Sequence, residues 1–193
     1  MPYFTGNSDK DRELAALWAW QALQNPDTLV LDTETTGLRS DAEVCQIAVM
    51  NLAGDVLLDT LVKPRNPIPP EAEAIHGIST KTVQDAPPFA HMAVALRQIL
   101  DGRKCLIYNR EYDLRVIRQS ALAADLDSMI ALPSSAKFEC AMLPYAAFVG
   151  ERNAYKADYK WQKLPSGDHS ALGDVRATRR LIFQMAGLAW LYD

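Results

Sequence analysis

Cysteine is scarce in this chain. Cys45, Cys105 and Cys140 are the only three among 193 residues, and each stands singly among apolar neighbours. With no CxxC spacing and an odd count they cannot all pair, which excludes a full disulfide framework and favours free thiols in a reducing compartment. Long hydrophobic runs are missing too, and nothing approaches the ~20 apolar residues that span a bilayer. The most apolar N-terminal stretch, Leu14 to Leu23, is interrupted by Gln21, follows acidic residues and precedes no cleavage signal. A secretory leader is therefore not expected, and the chain reads as cytoplasmic and off the membrane. Internal repeats and low-complexity segments are absent. Positive charge is not in excess: 20 Lys and Arg against 24 Asp and Glu leave a net charge of -4. A non-specific grip on a phosphate backbone needs a basic surface. Bound divalent cations would each restore two positive charges, so net charge alone decides nothing.

What is present is an ordinary globular composition, 49% apolar over a length that fits one domain with a sizeable core. Residues 9–24 read as an amphipathic helix anchored by Leu14, Leu17, Trp18 and Leu23 and stopped by Pro26. Thr28 to Asp32 is a short run of strand formers. Val44 to Met50 and Val56 to Val62 read as two strands of a hairpin turning through Asn51 to Asp55. Pro64, Pro67, Pro69 and Pro70 predict an irregular crossing. A helix follows over Pro88 to Asp101, with Phe89, Met92, Leu96 and Ile99 inward and Gly102 placed to end it. Lys104 to Tyr108 is a fourth strand, and Glu111 to Ala123 a helix with Leu114, Ile117 and Ala121 inward. Phe138 to Cys140 reads as a short fifth strand, 150–168 as a polar, basic and aromatic loop, and Ser170 to Met185 as a final helix. Strands followed by helix–strand–helix units predict an α/β fold with a mixed sheet flanked by helices.

Asp32-Thr33-Glu34 ends the first strand. Side chains two apart on a strand share a face, so two carboxylates stand side by side at its C-terminal end, where sheets of this class tend to place ligands. Their mutual repulsion, made worse by burial, is relieved by hard divalent cations such as Mg²⁺ or Mn²⁺. A bare DxE arises by chance at roughly 0.4% of positions, so the pair alone is weak evidence and a solvated strand end competes with it. The following Thr35-Thr36-Gly37-Leu38 adds specificity, because Gly37 frees the backbone for a tight turn whose amides could reach a ligand. Asn109 and Asp113 lie one helical turn apart, with Asp113 near a helix N-terminus that favours negative charge. An N-cap role for Asn109 is an equal alternative. His169 and Asp174, five apart, cannot share a helix face. His169 belongs in the preceding loop and Asp174 one turn into the helix. There an imidazole could take a proton from a metal-bound water.

Three stretches together resemble a known family. Asp32-Thr33-Glu34-Thr35-Thr36-Gly37, Tyr108-Asn109-Arg110-Glu111-Tyr112-Asp113 and His169-Ser170-Ala171-Leu172-Gly173-Asp174 are similar, in order and wide spacing, to the three motifs of the DEDDh exonucleases. That family includes the epsilon proofreading subunit of bacterial DNA polymerase III and ribonuclease T. Ile75-His76-Gly77-Ile78 with Val83 and Ala86-Pro87 resembles a secondary signature. Tyr155-Lys156 or Tyr159-Lys160, with Leu164, resembles the approach to the third motif. The likeness spans about residues 28–184. It leaves 1–27 as an N-terminal helical extension to an exonuclease domain over 28–193. Tyr108 stands where many members have histidine and Gln46 where many have glutamate. Arg110 and Glu111 make the second motif unusually charged. Ser170 occupies the position of the tyrosine that marks the alternative subgroup, so the histidine variant fits.

The resemblance implies a ribonuclease H-like fold with a five-stranded mixed sheet. It implies two Mg²⁺ or Mn²⁺ ions and 3′-to-5′ hydrolysis of a single-stranded or frayed 3′ end to nucleoside 5′-monophosphates. Asp32, Glu34 and Asp174 would hold one metal, with Asp32 bridging to a second that Asp113 helps to hold, and His169 would act as general base. Thr35, Thr36 and Leu38 would meet the terminal nucleotide beside the Gly37 turn, with Asn109 and His76 lining the same pocket. For His76 a turn histidine packed beside Gly77 is an equal alternative. Lys156, Lys160, Lys163, Tyr155, Tyr159 and Trp161 could contact phosphates and bases, against a solvated loop with its aromatics, Trp161 first, tucked inward. The motifs do not separate DNA from RNA trimming. An inactive nucleic-acid-binding module and a hydrolase of free nucleotides compete with the exonuclease. A polymerase partner is compatible with the sequence but not indicated by it, and oligomeric state is open.

Overall fold

The computed structural model describes residues 4–188. Helix α1 (Ser8–Leu23) starts at Asn7, whose side chain accepts from the Asp9 and Lys10 amides at 3.0 and 3.2 Å and so satisfies donors that a helix start leaves without partners. Its predicted anchors hold in part. Trp18 is buried and Leu14 and Leu23 are half-buried, but Leu17 is exposed. The inner face is Ala15, Trp18, Ala19 and Ala22. Small side chains bring the helix close to its neighbours, and their weak apolar contrast hid that face behind the leucines.

Strands β1 (Leu29–Thr35), β2 (Val44–Asn51) and β3 (Val56–Leu61) form the antiparallel part of the sheet. The hairpin between β2 and β3 is closed by Asn51, whose side-chain oxygen accepts from the Gly54 and Asp55 amides. The proline-rich crossing is irregular only as far as Pro69. A helix, α2 (Pro70–His76), then forms, which sequence reasoning missed. Pro70 opens it where the missing N–H costs nothing, and Gly77 ends it at a positive φ. Helix α3 (Phe89–Leu100), strand β4 (Lys104–Ile107), helix α4 (Arg110–Ala123), strand β5 (Lys137–Cys140) and helix α6 (Ala171–Met185) fall where expected. Between the last two lies an unpredicted helix, α5 (Met142–Val149). Its Pro144 is tolerated in the first turn, but an almost wholly apolar octapeptide carries no periodicity to read.

The sheet order is β3-β2-β1-β4-β5, with β4 and β5 parallel to β1. This is the expected five-stranded mixed sheet of a ribonuclease H-like α/β fold. Alternation along β1 sends Leu29 and Leu31 into one core with α3 and α4, and Val30 into a second core with α1 and α6. Strand β4 pairs with β1 only as far as Ile107 opposite Leu31. From Asp32 onward β1 therefore runs beyond its parallel neighbour, and a cleft opens at this end of the sheet. Among the described residues no helix is long and apolar enough to cross a membrane. The apolar segment Gly187 to Asp193 that ends the sequence lies mostly outside the described residues.

Candidate active site

Asp32 and Glu34 project from the same face of β1, and α6 brings Asp174 to them. One carboxylate oxygen from each lies within 4.8 Å of the other two. Asp113 arrives from the first turn of α4 and is buried. Its Oδ1 accepts from the Thr33 amide at 3.1 Å and the Thr33 hydroxyl at 2.8 Å. Thr33 points to the α4 side of β1 while its two acidic neighbours point to the α6 side. One strand thus ties together acids from three separated stretches of sequence.

These acids repel one another. Burial, then the charges of Asp113, Asp174 and Glu34, holds the Asp32 carboxyl well above the usual range. Burial, then Asp174, Asp113 and Asp168, pushes Glu34 up to about 8. Burial raises Asp113 against the lowering effect of the Thr33 hydrogen bonds. Burial likewise raises Asp174, opposed by the amides of Asp168 and His169. Among the described residues no lysine or arginine forms an ion pair with any of the four. A group of carboxylates without a counter-charge is the donor set that hard divalent cations prefer, and the residues fit that ligand.

A pH dependence follows. The unfolded chain ionises these acids near pH 4, whereas the folded chain holds their protons to higher pH, to about 8 for Glu34. Between those values the folded state binds more protons, so the cluster's contribution to stability falls as pH rises. The melting temperature in EDTA is expected to carry this loss across pH 4–8. Saturating Mn²⁺ should remove it, and Glu34→Gln should flatten the EDTA profile. Parallel profiles with and without Mn²⁺ would contradict the assignment of these acids to a cation.

Beside the acids lies a cavity of about 630 Å³ lined by Glu34, Thr35, Thr36, Gly37, Leu38, His76 and Asn109 among others. All six residues expected around a nucleotide are therefore brought together. Gly37 has φ +142 with open space where a Cβ would stand, so backbone conformation is what favours glycine there. Leu38 is 80% exposed at the rim. The Nε2 atom of His76 lies 3.1 Å from the Thr35 carbonyl, and burial lowers the pKa of its ring. Asn109 occupies the N-cap position of α4, but its side chain makes no capping bond, and the residue lines the cavity.

Sequence reasoning missed what holds the rim. Tyr112 donates to the Gly37 carbonyl at 2.8 Å. Arg115 reaches the Arg39 and Leu38 carbonyls at 3.2 and 3.4 Å and covers the Tyr112 ring. Gln119 bonds the Ser40 carbonyl. These residues recur every three or four positions on α4, so one helix face clamps four consecutive carbonyls around Leu38. Gln46, unusual at its position, has a use here: its Oε1 accepts from the Ala171 amide and seats the start of α6.

His169 is exposed and immediately precedes Ser170, the α6 N-cap, whose hydroxyl accepts from the Gly173 amide at 3.1 Å. It has φ +59, a conformation rare for a residue with a side chain. Its amide and that of Asp168 donate to Asp174 Oδ1 at 3.3 and 3.0 Å. The tight approach leaves no room for a side chain at 167, where a Cβ would meet that oxygen at 2.8 Å. In the preceding loop Tyr159 is buried, but Trp161 is 59% exposed, contrary to the expectation that it tucks inward.

A family model described as "RNase_T: Exonuclease" matches residues 29–182. The chain belongs to the RNase_T exonuclease family. An exonuclease of Escherichia phage 186 is 38% identical over 172 residues, covering 83% of this chain and 88% of its own length. The DNA polymerase III epsilon subunit of Escherichia coli is 27% identical over 178 residues, 82% of this chain and 71% of its own. Escherichia coli exonuclease I, solved in complex with a dA16 oligonucleotide, superposes with a TM-score of 0.65 at 18% identity over 86% of this chain. That likeness bears on fold, and the present chain spans about two fifths of that protein. As an RNase_T family member the chain is an exonuclease, a hydrolase of nucleic acid, and its acidic cluster suits the divalent metals on which that family depends.

Proposed function

We propose that the protein removes nucleotides one at a time from the 3′ end of single-stranded or frayed DNA, releasing nucleoside 5′-monophosphates. The observation that carries this reading is the convergence of Asp32, Glu34 and Asp174 within 4.8 Å beside a nucleotide-sized cavity. The epsilon subunits among its relatives, and the oligodeoxynucleotide bound by exonuclease I, favour DNA over RNA. Residues 28–193 would form the catalytic unit, with 1–27 an N-terminal helical extension.

Asp32, Glu34 and Asp174 would hold one Mg²⁺ or Mn²⁺, and Asp113 with Asp32 a second. When bound, such a pair offsets the charge of the scissile phosphate and of the oxygens entering and leaving it. The chain's own residues do the rest. His169, exposed beside Asp174, accepts the proton of the attacking water. The Thr35–Leu38 turn, clamped by α4, sets the position of the terminal nucleotide, and Asn109 and His76 line the same pocket. A cavity that receives a chain end explains exonucleolytic action.

An oligonucleotide labelled at either end tests this. With Mg²⁺, a 3′ label is expected to leave at once as a mononucleotide while a 5′ label persists on a shrinking ladder, and EDTA should stop both. The reverse polarity, or internal cuts, would overturn it. Arg115→Ala should loosen the Leu38 rim and raise KM for oligonucleotides about tenfold, as expected for lost hydrogen bonds from a charged donor, with kcat within about threefold. A matched loss in kcat, measured by steady-state kinetics, would show that the clamp does not act through substrate position.

A further inference from the structure

The loop leading to the third motif is built in a way that the catalytic reading does not use. Arg152 and Tyr159 pair across a small hairpin, closed by Asn153, whose amide donates to the Asp158 carbonyl at 3.0 Å and whose side chain accepts from the Tyr155 amide at 2.9 Å. Its stem is tied to the N-terminal segment. Tyr159 donates to the buried Asp11 at 2.8 Å. The Arg152 guanidinium lies 4.9 and 5.1 Å from the Phe4 and Tyr159 rings and bonds the Gly6 carbonyl. Lys160 pairs with Glu151 at 2.8 Å. Two residues on, the Gln162 carbonyl accepts from Tyr108 at 2.9 Å, the residue next to Asn109 in the cavity wall.

Anchored before and after, the segment cannot bury its remaining aromatics. Tyr155 is 95% exposed at the hairpin tip, and Trp161 stands outward between the two tethered neighbours Lys160 and Gln162. Lys156 and Lys163 are exposed, with no ion pair among the described residues. Two outward rings, each near an uncompensated lysine, match the alternation of bases and phosphates in a single strand. The lysines match a protein partner less well, because protein–protein interfaces are depleted of lysine. Gln162 is tied to Tyr108, whose chain neighbour Asn109 lines the cavity, and the segment runs on to His169, so it leads to the site. We propose that Tyr155, Lys156, Trp161 and Lys163 form a stacking platform that holds the single-stranded nucleic acid leaving the active site. The inference rests on the functional reading above.

The test is binding of 5′-labelled dT20 followed by fluorescence anisotropy in EDTA, together with turnover of dT20 and of a thymidine dinucleotide in Mg²⁺. Trp161→Ala and Tyr155→Ala remove exposed rings, and thermal melts check that the fold is kept. Each is expected to weaken dT20 binding about tenfold, since stacking of one base is worth that order, and to raise KM for dT20 alone. Lys156→Glu with Lys163→Glu should weaken binding further and flatten its salt dependence. Wild-type affinity in the ring variants, equal losses on dinucleotide and dT20, or a wild-type protein that does not bind dT20 would each overturn the platform. Wild-type protein that binds dT20 but releases no nucleotide in Mg²⁺ would instead count against the catalytic reading and leave the platform standing.

Discussion

Replacing Asp32 by Asn is expected to slow nucleotide release by about 10³-fold or more while raising the melting temperature of the metal-free protein. Asp32 is the acid most crowded by the others, facing Asp113, Asp174 and Glu34. With Asn there, the site would lose a ligand proposed for both ions and much of its hold on cations. Metal assistance is worth several kcal/mol in the transition state, and each 1.36 kcal/mol is tenfold in rate. The stability effect has the opposite sign, because an amide removes one of the repelling charges. For a domain of this size each kcal/mol recovered raises the melting temperature by about 2–4 °C, so a rise of a few degrees at pH 8 is the expected reading. Melts in EDTA and single-turnover kinetics in Mg²⁺ measure the two halves. A variant both slower and less stable without metal would mean that Asp32 serves the fold.

His169→Asn is expected to lower kcat by about 10²–10⁴-fold, the usual loss with a general base, and to leave Mn²⁺ binding and the melting temperature near wild type. Asparagine suits this position because the residue sits at φ +59, a conformation asparagine adopts more readily than most residues. The backbone amides that donate to Asp174 are kept. His169→Ala should show the same loss in kcat with a small additional loss of stability. Mn²⁺ titration alongside kinetics separates the roles. If Mn²⁺ affinity falls in step with kcat, His169 is helping to hold the metal and the proton-acceptor role fails.

The parts legible in the sequence were those written locally. A run of strand formers ending in Asp-Thr-Glu announces its own geometry, because alternation along a strand needs no other residue. His169 and Asp174 were separable into loop and helix by spacing alone. The connections were not legible. Thr33 tethers Asp113 across 80 residues, and Tyr112, Arg115 and Gln119 clamp a turn more than 70 residues away. Spacing on α4 places those three on one face, but nothing in the sequence says what that face meets. Asn109 shows the converse: of the two equal readings, cap or cavity residue, it takes the N-cap position without a capping bond and lines the cavity. Helices α2 and α5 were hidden by prolines that sit in their first turns. The buried Asp11 was unreadable because its partners, Thr5 and Tyr159, are a local and a distant hydroxyl.

Anomalous diffraction from crystals soaked in Mn²⁺ tests the central claim most directly. Two peaks are expected, one among Asp32, Glu34 and Asp174 and a second between Asp32 and Asp113. Well-ordered crystals with no peak at these acids, or with manganese bound elsewhere, would contradict it.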